Sequence, residues 1–199
     1  MNILIVNYYT FREGGASVSS YYLANALKKL DNNVYIASTG LYPDIETFVF
    51  KKIRLMPIFQ FRDLYLTNFL SKIIREKEIN IIHSSDGRFT PVAVINVAKK
   101  YNIPSVVHFR DYWFCCLKGD LLFKNKQICQ GLNLEKCLEC RRKLQWPWEI
   151  YKYLYFKNRI NKLNQADAKI AINGIIKNQL MRFKIIRDVE VVNNSVNIQ

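Results

Sequence analysis

The sequence predicts a Rossmann-like, doubly wound α/β fold: a mainly parallel sheet with helices on both faces and a small Cys-rich insertion. Three observations predict it. Short aliphatic runs alternate with longer, helix-periodic segments almost throughout, and parallel strands need helical crossovers. Several of those runs are apolar on consecutive residues, as in strands covered on both faces. The 199 residues, half of them hydrophobic, suit one domain with a sizeable core.

Residues 2–7 form the first such run and read as a buried strand. A short loop over residues 8–15 leads to a helix over 17–30, because Val18, Tyr22, Ala26 and Leu30 fall at i+4 spacing. Asp31-Asn32-Asn33 closes that helix, and residues 34–38 form the second strand. A third is expected over 48–55, interrupted by Lys51, Lys52 and Arg54 and ended by Pro57. Residues 61–75 read as a helix with a broad apolar stripe: Phe61, Tyr65, Phe69 and Ile73, beside Leu66, Leu70 and Ile74. Strand 79–83, helix 92–100 and strand 105–108 follow, the last entered through Asn102-Ile103-Pro104. After a helix ending near Leu163 the same grammar returns as strand 168–172, helix 175–183 and strand 189–192. The alternation breaks only over residues 112–142, which hold all five Cys from Cys115 to Cys140 and read as an insertion.

Composition excludes disorder, collagen and coiled coil. No apolar run approaches the ~20 residues of a membrane span. The start, Met1-Asn-Ile-Leu-Ile-Val-Asn7, has no basic leader and reads as a strand. A cytoplasmic location follows as the default, and the Cys are then thiols or metal ligands before they are disulfides. The formal charge of +14 points to an anionic partner: nucleic acid, a membrane surface or a phosphorylated substrate.

In an open α/β sheet, ligands bind at the carboxyl ends of the strands. The loop after the first strand carries Gly14-Gly15-Ala16-Ser17. Two glycines let backbone approach a ligand closely, and the helix start behind them offers N–H groups to an anion. Neither G-x-G-x-x-G nor G-K-[ST] is present, which argues against a nicotinamide, flavin or P-loop site. A tight turn with a helix cap is the alternative reading. Ser84-Ser85-Asp86-Gly87 follows another strand and is either an acceptor-contact loop or an ordinary polar turn. His108-Phe-Arg110-Asp111-Tyr-Trp113 lies just past a third. There the Asp111 carboxylate suits orienting an acceptor hydroxyl or taking its proton. Arg110 stays cationic and suits a phosphate. A structural Asp111–Arg110 ion pair and core positions for His83 and His108 are the competing readings.

These features together resemble the N-terminal half of family 4 glycosyltransferases of the GT-B fold. The first strand, Gly14-Gly15 and a helix ending Leu23-Ala24-Asn25-Ala26-Leu27 are similar to that family's opening. Residues 166–173, then 189–192 and Asn194-Ser195-Val196-Asn197, are similar to its "ADxxIAxS…VxVIxNGVD" passage, with Asn173 in place of Ser and Ser195 in place of Gly. Arg110-Asp111-Tyr112-Trp113 aligns on His-Asp-x-Trp, Arg110 replacing the His. The resemblance implies an acceptor-binding domain, a nucleotide-sugar donor as co-substrate, and a glycan or lipid-linked acceptor. It also implies a C-terminal donor-binding domain beyond residue 199, without which no transfer is expected. Asp111 is then the catalytic candidate, and Gly14, Gly15, Asp86, His108 and Arg110 are the substrate-binding ones. Retention of configuration is implied by the family alone.

Cys115-Cys116, Cys129 and Cys137-Leu-Glu-Cys140 sit close in sequence. C-x-x-C presents two thiolates to one metal, and tetrahedral zinc needs two more. Cys116, Cys129, Cys137 and Cys140 make a candidate structural zinc site, with Cys115 spare. Disulfides, free thiols or an iron–sulfur cluster are the alternatives. The insertion also resembles a Cys-rich subgroup of the same family, which favours Cys116 over Cys115. Between the clusters, residues 118–126 read as a hairpin. Residues 141–162 combine seven Lys or Arg and one acid with Trp146, Trp148, Tyr151, Tyr153, Tyr155 and Phe156. That mixture suits an anionic membrane surface; packing against other parts of the protein is the alternative. A nucleic-acid-binding module is disfavoured, because Lys and Arg are spread along the chain and zinc-finger His spacing is absent. A non-catalytic binder of sugar or lipid phosphate remains the other alternative.

Overall fold

The computed structural model describes residues 1–52, 59–123, 127–129, 133–141, 147–182 and 188–194. Seven strands form one sheet: β1 (Asn2–Val6), β2 (Asn33–Ser38), β3 (Thr47–Val49), β4 (Ile81–Ser84), β5 (Ser105–Phe109), β6 (Ala168–Ala171) and β7 (Val189–Val191). Their order is β3-β2-β1-β4-β5-β6-β7, and every pairing is parallel. The helices are α1 (Gly15–Lys28), α2 (Phe59–Glu76), α3 (Pro91–Tyr101), α4 (Leu134–Arg141), α5 (Trp148–Leu163) and α6 (Gly174–Arg182). The expected fold class is the observed one.

Period-two alternation along β1 divides the core. Leu4 and Val6 pack with Leu66 and Leu70 of α2 and Val94 and Val97 of α3. Ile3 and Ile5 turn to the other face, against Ala24 of α1 and Val34 and Ile36 of β2. A third cluster joins Val107, Phe109 and Ala171 to Leu163, Ile176 and Leu180. Each such fully buried aliphatic side chain contributes about 1.5–3 kcal/mol of transfer free energy. The helix ends follow local chemistry. Pro91 opens α3, where its missing N–H costs nothing, and Asn102 closes it in the left-handed region at φ 52°.

Two sequence expectations shift. In α1 the buried positions are Ser17, Ser19, Ser20 and Ala24, while Leu30 is 71% exposed. Small side chains let this helix lie close to the sheet, so it turns away from the Val18–Tyr22–Ala26–Leu30 row. In α2 the stripe centres on Leu66, Leu70, Ile73 and Ile74, and Phe61 points outward at 55% exposure. The third strand is only Thr47–Val49, and residues 53–55 of its expected span lie outside the described residues.

Within the insertion, Leu122 and Ile128 form an antiparallel bridge, and the Cys129 amide donates to the Leu121 carbonyl at 2.8 Å. The hairpin expected over 118–126 thus has a counterpart displaced toward 121–129, and residues 124–126 lie outside the described residues. On the α1 side of β4, β5 and β6, an apolar groove of about 400 Å³ runs past Ile81, His83, Val106, His108 and Ile170.

Candidate functional site

The chain leaves β1 toward β2 on one side, and β4 continues the sheet on the other. The carboxyl ends of β1 and β4 therefore flank a topological switch point, where open α/β sheets bind ligands. Gly14, Asp86, Arg110 and Asp111 lie in loops on this edge, and Gly15 opens α1 there.

Asn7 secures the first loop. Fully buried, it donates through Nδ2 to Ser20 Oγ at 2.9 Å and to the Ala16 carbonyl at 3.3 Å, and it accepts from the Tyr9 amide at 3.0 Å. Ser17 Oγ donates to the Gly14 carbonyl at 2.7 Å and fixes the entry to α1. A Cβ built on Gly14 or Gly15 would meet nothing within 4 Å. The space above the turn is open, and the first amides of α1 face the switch point.

Asp86 is 3% exposed. One carboxylate oxygen accepts from the Arg88 and Phe89 amides at 2.9 and 2.6 Å. The other accepts from Thr90 Oγ1 at 2.7 Å and from the Tyr8 amide at 3.2 Å. Four donors therefore use Asp86 to tie the β4–α3 loop to the β1–α1 loop. That is the polar-turn role, extended into a cross-loop brace.

Asp111 stands differently. A Cβ on Gly87 would lie 3.0 Å from Asp111 Oδ1, so a side chain there would push the carboxylate back by a few tenths of an ångström. The Trp113 amide donates to Oδ1 at 3.0 Å. Burial pushes the Asp111 carboxyl up to about 6, and the Asp86 carboxylate adds to the rise. The Trp113 amide, Arg159 and Arg88 oppose it. A carboxylate that takes up a proton near neutrality is suited to acid–base work.

Arg110 and His108 belong to the α1 side of the sheet, where both line the apolar groove. Arg110 donates through Nη1 to Asn194 Oδ1 at 3.2 Å, and its Nη2 lies 3.2 Å from His108 Nδ1. A guanidinium only donates, so His108 Nδ1 accepts and Nε2 carries the proton. His108 stacks on His83 with ring centroids 5.7 Å apart and an interplanar angle of 16°. Burial, then the Arg110 charge, lowers His83 to about 3 and His108 to about 2. Both are neutral packed imidazoles, the core reading of these two residues. Burial also lowers the Arg110 guanidinium to about 10.

Sequence reading passed over three residues here. Arg88 hydrogen-bonds Tyr9, and its guanidinium stacks 3.7 Å over the Trp113 ring. Tyr42 donates to the Tyr9 carbonyl at 3.0 Å, and burial raises its hydroxyl well above the usual range. Arg159 is 3% exposed and reaches the Gly87 carbonyl from α5. The available signal was position: Arg88 follows Asp86 by two residues in a strand-tip loop.

Cys115, Cys116, Cys129, Cys137 and Cys140 line one small cavity of about 20 Å³. None of the five is joined in a disulfide. Cys116 Sγ lies 3.9 Å from Asp120 Oδ1, and Cys140 Sγ lies 3.8 Å from the Leu122 carbonyl. Among the described residues, no three His, Cys, Asp or Glu side chains come together closely enough to hold a metal ion. The insertion gathers the four expected ligands but directs two of them to other acceptors, so zinc coordination is not formed as the side chains stand. The chemistry of the donor set still fits zinc: four thiols around one void large enough for a single atom.

Three aromatics of the basic segment, Tyr151, Tyr155 and Phe156, pack inward. Phe59 stacks on Tyr151 and Tyr155 at centroid distances of 6.0 and 4.6 Å and meets Phe156 edge-on at 6.2 Å. This is the internal-packing reading; Trp146 lies outside the described residues. Among the described residues no helix is long and apolar enough to cross a membrane.

No curated protein sequence matches the chain significantly. Among solved structures, the chain is similar to a glycosyltransferase from Rickettsia africae (TM-score 0.62, 18% identity, 98% of this chain and 43% of that one). It is also similar to the lipopolysaccharide outer core galactosyltransferase WaaB (TM-score 0.55, 16% identity, 100% of this chain and 47% of that one). A third likeness is to a UGT transferase from Siraitia grosvenorii in complex with UDP (TM-score 0.61, 12% identity, 100% of this chain and 52% of that one). The chain thus spans about half the length of each of these enzymes. These likenesses bear on the fold; residues 13–199 match the Glycosyltransferase Family 4 description, and the chain belongs to that family.

Proposed function

We propose that this chain is the acceptor-binding half of a glycosyltransferase that moves a sugar from a nucleotide-sugar donor to a glycan or lipid-linked acceptor. One observation carries the reading: a buried carboxyl raised to about 6, Asp111, stands at the switch-point edge of the sheet on the same rim as the open Gly14-Gly15 turn. In its ionised form Asp111 accepts the proton of an acceptor hydroxyl as the oxygen attacks the anomeric carbon. The C–O bond to the donor diphosphate breaks, and the diphosphate leaves with the electron pair. The amides of Gly15 and Ala16, at the positive end of α1, are placed to meet its negative charge. Asp86 and Arg110 position the rim. A donor-binding half completes the cleft, in keeping with the chain's coverage of 43–52% of its structural neighbours. Exposed Phe61, Leu64 and Leu154 on neighbouring α2 and α5 support a lipid-linked acceptor at a membrane surface.

The test is reconstitution. The chain is mixed with a donor-binding half carrying the E-x7-E motif, radiolabelled nucleotide sugars and a membrane extract from the same cells. Label that passes to an extractable product only when both halves are present supports the reading. No transfer from any common nucleotide sugar overturns it.

We also propose that Cys116, Cys129, Cys137 and Cys140 close around a structural zinc, which would cross-link the insertion without an open coordination position for chemistry. The common cavity supports this. Protein purified without chelator is expected to carry about one equivalent of zinc, and a Cys137→Ser, Cys140→Ser variant to lose it. Less than roughly half an equivalent in the parent protein defeats the proposal.

A further inference from the structure

A second cavity opens at the same rim, on the opposite face of the sheet from Gly14-Gly15. It has a volume of about 100 Å³ and lies between α2, α5, the β4–α3 loop and Trp113. Arg62, Arg88 and Lys152 line it together with aromatic rings, and among the described residues no carboxylate lines it. A cavity of this kind suits an anion: Arg62 is offset by Asp63 at 3.1 Å, and the two guanidiniums bring forked N–H donors to one small space, the geometry that binds a phosphate oxygen pair.

The two guanidiniums are stacked on rings, and part of each edge is engaged: Arg88 hydrogen-bonds Tyr9. Arg88 lies 3.7 Å from the centre of the Trp113 ring and 4.4 Å from that of Phe89. Arg62 lies 5.1 Å from each of Phe59 and Phe89. Stacking uses the flat face of a guanidinium and leaves its in-plane N–H donors to bind oxygen. Arg62 is only 5% exposed, and its Nη2 is engaged by Asp63 at 3.1 Å and Tyr155 at 3.2 Å. Its Nε is buried without a hydrogen-bond partner. A buried charged donor left unmatched is costly, and an oxyanion in the cavity would match it.

We propose that this cavity binds a phosphate group carried by the acceptor, with Arg88 and Arg62 as its donors and Trp113 as the wall it shares with the Asp111 loop. The proposal rests on the acceptor-half reading and adds the acceptor's chemical class. Trp113 is two residues from Asp111 and donates its amide to that carboxylate. The phosphate therefore sits beside the proposed proton acceptor, on the side away from the donor diphosphate at Gly14-Gly15. Two sources share this chemistry: a soluble sugar or polyol phosphate, and the phosphate of a membrane lipid.

Calorimetric titration of the chain with methyl phosphate at low salt tests the site without any sugar transfer. Saturable binding is expected, weakened by at least roughly tenfold in Arg88→Gln and by less in Lys152→Gln. It should be unchanged in Lys72→Gln, which removes one positive charge from an exposed position on α2. Arg88→Lys, which keeps the charge and loses the fork, should fall between. Far-UV circular dichroism shows whether each variant is folded. Sedimentation with phosphatidylcholine vesicles containing phosphatidic acid separates the sources. Arg88-dependent co-sedimentation assigns the lipid, and methyl phosphate binding without it assigns the soluble class. No saturable binding, or equal binding by Arg88→Gln and Lys72→Gln, overturns the cavity even where reconstituted sugar transfer succeeds. Arg88-dependent binding with no transfer from any nucleotide sugar removes its acceptor role and the glycosyltransferase reading together.

Discussion

Asp111→Asn is expected to lower sugar transfer in the reconstituted enzyme by roughly 10²–10⁴-fold, the usual span for loss of a positioned general base. The amide keeps the shape and the bond from the Trp113 amide but cannot take a proton. In the parent enzyme kcat/KM should fall about tenfold per pH unit below pH 6, because the working form of Asp111 is the ionised one and its carboxyl titrates at about 6. The residual rate of Asp111→Asn should lose that inflection. Stability should move the opposite way. An unfolded Asp ionises near ~3.9, so between that value and about 6 the folded chain holds more protons than the unfolded one. Stability therefore falls as pH rises through this window and stays lower above it. Asp111→Asn should be more stable than the parent at pH 8 by roughly 1–3 kcal/mol in urea unfolding. The gain should vanish below pH ~3.9. A variant both fully active and no more stable would show that the carboxylate neither reacts nor stores this cost.

Gly119→Ala should destabilise the chain by about 2–5 kcal/mol. Gly119 sits at φ +84°, where a side chain is strained by about 1–2 kcal/mol. Its Cβ would also fall 2.8 Å from Trp113 Cδ2 and Cζ2, and closer still to Cε2. Forcing extra atoms into such a contact adds about 1–3 kcal/mol. For a chain of this size the expected loss is roughly 4–20 °C in Tm, read by thermal unfolding. Pairing the change with Trp113→Ala should recover the steric part and leave the backbone part. An unchanged Tm in the single variant would mean that the indole does not rest on Gly119. This contact matters because Trp113 also carries Arg88 on its other contacts, so the Cys-rich insertion holds one wall of the phosphate cavity.

The strand–helix alternation made the sheet legible. Runs such as Ile3–Val6 can only be central strands, and the crossovers then dictate parallel pairing. Helix facing was less legible. The small residues Ser20 and Ala24 carry no strong hydrophobic signal, yet closeness of approach, which periodicity does not encode, put them against β1. At the site, Gly14-Gly15 and Asp111 stood out because they follow strands. Arg88, Arg62 and Arg159 did not, because their roles come from α2, α5 and the β4–α3 loop meeting in space. Asp86 was found, but its four donors come from backbone and Thr90, and only the fold reveals that they leave it tied into the loops.

β1 lies inside the sheet and pairs with β2 on one edge and β4 on the other. It also precedes both of its partners in the chain. Its second partner, Ile81–Ser84, follows some 75 residues later, which at about 5–20 residues per second is a delay of several seconds. For that interval the nascent chain carries an apolar strand with one open edge, the kind of surface that other chains and chaperones recognise.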